Sequence, residues 1–112
     1  MKKVLIVLVL AATASVSFAA TAQAGKVLSG NRASALTNLV AERDCDRDPG
    51  CERYGVDNCR RQAIRRITCV AITQGTDSFG AAVQCERNVL VRLVTSTGNV
   101  KYVTGNRECF FI

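Results

Sequence analysis

The sequence predicts an α+β domain in which one N-terminal helix packs on a three- to four-stranded antiparallel β-meander stapled by disulfides. Three observations carry that prediction. Apolar residues recur at helical spacing over 31–43, runs of Val, Ile, Leu and Thr separated by Gly- and Asn-containing turns fill most of 67–104, and six cysteines stand in a chain without histidine.

The N-terminus is set apart from this domain. Lys2 and Lys3, the apolar run Val4 to Ala12 and the small residues up to Ala22-Gln23-Ala24 are the three regions of a secretory signal peptide. Cleavage is expected after Ala24, with Ala20-Thr21-Ala22 as an equally small alternative. The strongly apolar part, Val4 to Leu10, is far shorter than the roughly 20 residues of a spanning helix, so no stable membrane insertion is expected after cleavage. The first cysteine is Cys45, which leaves no lipidation site at the cleavage point. Residues 1–24 are therefore assigned to the signal and 25–112 to a single domain, and the predicted location is secreted or periplasmic. Removing 24 of 112 residues leaves 88, room for one modest core.

Ala33, Leu36, Leu39, Val40 and Arg43 define the helix over 31–43, with Ser29 or Asn31 to cap it. The stretch Asp44 to Asn58 holds the only proline, two glycines and two cysteines without an apolar period, and predicts an irregular loop. Arg60 to Arg66 is ambiguous between a short helix capped by Asp57 and the early start of a strand. Strands are predicted over 67–73 and 82–95, joined by a turn with glycine at both ends, Gly75 to Gly80. A third follows over 100–104, after a tight connection at 96–99 where Gly or Asn can take positive φ. The tail Glu108 to Ile112 predicts a last short strand that closes the core, with Cys109 stapling it down.

An even cysteine count in an exported chain reads as a disulfide framework, and Cys45, Cys51, Cys59, Cys69, Cys85 and Cys109 predict three bridges. Metal thiolates are the competing reading, but no CxxC pair and no histidine supply zinc-like spacing. Short loops close most readily, which favours 45 with 51, 59 with 69 and 85 with 109. The rival pairing comes from the hairpin: a turn centred on Asp77 sets Cys69 opposite Cys85.

Without histidine, Ser-His-Asp, Cys-His and His-metal chemistry are excluded. A small carboxylate-based hydrolase remains as an alternative, with Glu86, Glu108 and Asp77 as its acids, although no spacing pairs them. Asp44, Asp46 and Asp48 alternate in the way that lets a turning loop aim oxygens at calcium. This segment is similar to EF-hand loops and, through Val56-Asp57-Asn58-Cys59, to the calcium loops of thrombospondin type 3 repeats. The resemblance implies a calcium-binding structural domain as a second alternative. Pro49 stands where the EF-hand glycine belongs and Gly55 where its bidentate glutamate belongs. No metal or other cofactor is assigned.

Charge distribution favours a third reading, a non-catalytic binding module. Residues 42–57 hold six acids against three arginines, whereas 58–112 hold seven arginines and one lysine against three acids. Arg60, Arg61, Arg65 and Arg66, with Arg87 and Arg92 on the next strand, are the candidate ligand-binding residues. The planar guanidinium fork suits phosphate and carboxylate groups, so the expected partner is an anionic cell-surface polymer or protein. The competing structural reading is a solvated face salt-bridged to the chain's own acids. With no tryptophan and no aromatics interleaved among these arginines, a stacking platform for nucleic acid is not expected.

Overall fold

The computed structural model describes residues 27–112, so the predicted signal segment and its cleavage site lie outside the described residues. Among the described residues one helix, α1 (Gly30–Arg47), precedes five strands: β1 (Cys51–Ala63), β2 (Arg66–Thr76), β3 (Ala82–Val94), β4 (Asn99–Thr104) and β5 (Glu108–Phe111). The sheet is antiparallel in the order β1-β2-β3-β4, and β5 lies in line with β4 along the same edge of β3. The predicted α+β class and meander are the observed ones.

Ser29 caps α1, its Oγ accepting from the Arg32 N–H at 3.1 Å. The buried stripe is Ala33, Thr37, Val40, Ala41 and Asp44, positions that share one helical face. Because its last member is a carboxylate, the apolar period stops at 43 while the helix continues to Arg47. Leu39 lies outside this stripe and is half exposed, contrary to its place in the predicted apolar face. Asp48 ends the helix: its N–H bonds the Cys45 carbonyl, and its Oδ1 accepts from the Gly50 N–H in a local turn around Pro49.

The principal correction concerns the segment expected to be an irregular loop. Its first part is the end of α1 and its second is β1, an edge strand paired with β2. Most of β1 is exposed and only Cys51, Gly55 and Val56 are partly covered, so the alternation that marks a half-buried strand never arises. Backbone pairing and two disulfides hold it instead. A bulge between Asp57 and Arg60, with Asn58 at φ 53°, inserts one extra residue and lets Cys59 reach Cys69. The ambiguous stretch 60–66 is strand on either side of a short turn at 64–65, not helix.

In β2 the odd-numbered residues Ile67, Cys69, Ala71 and Thr73 are buried against α1, and in β3 Val89, Val91 and Leu93 meet them. With Leu28, Ala33, Val40 and Ala41 these form the core. No described element covers the opposite face of the sheet.

The β2–β3 register runs from Arg66↔Arg92 to Thr76↔Ala82, which centres the turn on Phe79 rather than Asp77. Cys69 therefore faces Val89 and Cys85 faces Thr73, and the rival 69–85 bridge does not form. Cys45–Cys51, Cys59–Cys69 and Cys85–Cys109 are bonded and no cysteine is free. Three disulfides are the chemistry of an oxidising compartment. No described helix is long and apolar enough to cross a membrane.

The tail forms the short strand predicted, pairing with β3, but does not close the core. α1 packs over β1, β2 and β3 without reaching β5, so Phe111 remains 73% and Ile112 64% exposed. Where β1 enters the sheet, Gly50 and Gly75 cross backbone to backbone. A Cβ on either would overlap the carbonyl of the crossing strand.

Candidate functional site

The register turns a sequence-level charge imbalance into a spatial one. Arg66 on β2 pairs with Arg92 on β3, which pairs with Lys101 on β4. Directly paired residues project to the same face, so three cations stand in one row across three adjacent strands. Neighbouring strands are about 4.8 Å apart, making the row roughly 10 Å wide. Arg60, opposite Thr68, stands on this open face two rows away, its Nε bonded to Asn58 Oδ1 at 3.0 Å. Arg65 lies in the β1–β2 turn beside them. Arg32, from the first turn of α1, reaches the β3–β4 turn at the Gly98 carbonyl.

With Arg61, seven cations thus gather at the end of the molecule formed by the β1–β2 turn, the β3–β4 turn and the start of α1. The nine acids all lie elsewhere, in the second half of α1 or at its C-cap, on the sheet from the Asp57↔Val70 level onward, or in the β2–β3 turn. The two salt bridges among the described residues, Arg87–Asp44 and Arg107–Asp48, both belong to that second region. Arg66, Arg92 and Lys101 are all exposed, and no described acid pairs with any of them. Like charges on directly paired residues are destabilising, so the charges of this row contribute nothing favourable to one another.

Two of the six predicted arginines are committed to structural bonds, Arg61 at the cationic end itself and Arg87 away from it. Arg61 donates to the carbonyls of Ala63 at 3.3 Å, Ile64 at 2.8 Å and Leu28, tying the β1–β2 turn to the chain before α1. Arg87 projects to the helix side, where Nε and Nη2 grip Asp44 at 3.0 and 3.2 Å and Nη1 reaches the Gly105 carbonyl. Asp44 is buried, so this bidentate pair welds α1 to the middle of the sheet. Beside it Arg43 donates to the Tyr102 hydroxyl at 3.3 Å, and Arg47 lines the same groove. Lys101 and Arg32 are the members that sequence reasoning missed, and for Lys101 a signal existed. A turn placed within 96–99 brings residues near 101 opposite Arg92, so the signal lay in the hairpin register rather than in residue type.

The acids do not gather around a cation. Asp44, Asp46 and Asp48 fall on helix or at its cap, where alternate residues diverge by about 200°. Asp44 and Asp48 already hold Arg87 and Arg107. Among the described residues no three acids or cysteines are arranged to hold a metal. Glu86 and Glu108 are direct cross-strand partners, on the face of the sheet over which no described element forms a cleft. Asp77 stands apart in the β2–β3 turn, its Oδ1 accepting from the N–H groups of Phe79 and Ala81, both at 2.9 Å.

The chain matches no protein-family model, no curated protein and no solved structure.

Proposed function

We propose that the protein is an exported, non-catalytic binding module that engages an anionic surface with its cationic end. The observation that carries the reading is the unpaired row Arg66–Arg92–Lys101. A fold gains nothing from three like charges held side by side, whereas an anionic partner supplies the counter-charge that they lack. The purely structural alternative, arginines neutralised by the chain's own acids, describes Arg87 and Arg107 and not this row. Arg60 and Arg65 widen the surface. Export agrees with the three disulfides and the signal-like N-terminus.

Attraction of this kind reaches about 8 Å at physiological ionic strength and weakens as salt rises. Retention on a phosphate-bearing matrix at low salt should therefore fall steeply with added NaCl. The triple variant Arg66→Gln, Arg92→Gln, Lys101→Gln should elute at markedly lower salt than the parent, whereas Arg47→Gln, made in the groove beside Asp44, should elute near it. Equal elution of the triple variant and the parent would remove the row from the binding surface.

A further inference from the structure

We infer that the anionic partner is a lipid surface, and that the β1–β2 turn enters it with Ile64 leading. This rests on the anionic-surface reading and goes beyond it by naming the kind of surface and the manner of contact. Ile64 lies at the tip of the β1–β2 turn, within the cationic end, with 62% of its surface exposed, between Ala63 and Arg65. Val27, 43% exposed, lies close by, because the N–H of the next residue, Leu28, bonds the Ile64 carbonyl at 3.0 Å. A soluble polyanion would use the charges and ask nothing of these apolar side chains.

The carbonyls of the turn are satisfied from within the protein, which lowers the cost of moving it out of water. Burying an unsatisfied carbonyl in an apolar medium costs several kcal/mol. Here the Ala63 and Ile64 carbonyls accept from Arg61, Ile64 also accepts from Leu28, and the Arg65 carbonyl accepts from the Leu93 N–H at 2.9 Å. Three successive acceptors are thus satisfied from inside the protein. Directly behind the tip come Arg65 and the row Arg66–Arg92–Lys101, then Arg60 two rows further back. Each row adds about 3.3 Å, so with Ile64 at the acyl boundary the cations sit at headgroup depth, their stems along the apolar layer. The other end of the molecule also exposes apolar side chains, Phe79, Phe110, Phe111 and Ile112, but Asp77, Glu86 and Glu108 lie among them. An anionic bilayer repels that end.

The chain has no tryptophan, so Ile64→Trp introduces a single reporter at the tip. Vesicles of phosphatidylglycerol and phosphatidylcholine, vesicles of phosphatidylcholine alone, and soluble polyphosphate separate the alternatives. With anionic vesicles the indole fluorescence should shift to the blue, and Ile64→Ser should weaken partitioning about tenfold while leaving polyphosphate affinity unchanged. Arg66→Gln should weaken both about fivefold. Ile64 is exposed, so an unaltered melting temperature is expected for Ile64→Ser and serves as the folding control. Binding to polyphosphate without vesicles, or to vesicles with neither blue shift nor Ile64→Ser effect, would overturn the lipid inference and leave the anionic-surface reading standing. Binding to none of the three would sink both.

Discussion

Replacing Asp44 by alanine strands the Arg87 guanidinium between α1 and the sheet. The parent pair makes two charge-assisted hydrogen bonds, at 3.0 and 3.2 Å, with the Asp44 side chain 10% and the Arg87 side chain 24% exposed. Exposed ion pairs contribute roughly 0.2–1 kcal/mol, and removing one partner of a buried pair costs about 3–5 kcal/mol. Arg87 keeps some water and its bond to the Gly105 carbonyl, which puts the expected loss between those limits, near 2 kcal/mol. For a domain of this size that corresponds to a fall in melting temperature of about 8–16 °C. Thermal unfolding of the oxidised protein followed by circular dichroism measures it, and a cycle with Arg87→Met isolates the pair. A coupling energy of at least about 1 kcal/mol is expected. A loss below roughly 0.5 kcal/mol for Asp44→Ala would mean that the helix is held without this pair and that the pair is incidental.

Gly75→Ala should destabilise by about 3 kcal/mol, since the new methyl overlaps the Gly50 carbonyl where β1 and β2 cross; Gly30→Ala, with open space around it, should be neutral or stabilising by a few tenths of a kcal/mol. Melting temperatures of the two variants check the contrast, and similar values would place the strand crossing elsewhere. Tryptic digestion without reduction should yield one product in which the peptide 67–87 carries both 54–60 and 108–112, and a second that joins 44–47 to 48–53. Release of free 54–60 and 108–112 would point to an internal 69–85 bond and contradict the observed hairpin register.

What was legible in the sequence followed burial. β2 and β3 announce themselves because one face packs against α1, and the Gly98 turn, with φ 71°, falls inside the connection that composition marked. Neighbour pairing of the cysteines came from loop length alone, and all three pairs are present. β1 was illegible because an edge strand covered by little else carries charged residues on both faces. The end of α1 was missed for a related reason: its last buried position is Asp44, whose partner Arg87 lies 43 residues away. Cation identity was readable but cation geometry was not. Arg66 and Arg92 became neighbours of Lys101, and Arg87 separated from Arg92, only once register fixed which side of the sheet each residue faces.

The same reasoning makes the row Arg66–Arg92–Lys101 a site held at some expense to folding, and the melting temperature of the double variant Arg66→Gln, Arg92→Gln tests that claim most directly. Relief of like-charge repulsion across β2, β3 and β4 should leave the melting temperature unchanged or raise it by a few degrees, the shift being larger at low salt. A fall of more than about 4 °C, or about 1 kcal/mol, would mean that the two guanidinium groups support the sheet and would contradict the assignment of this surface to binding.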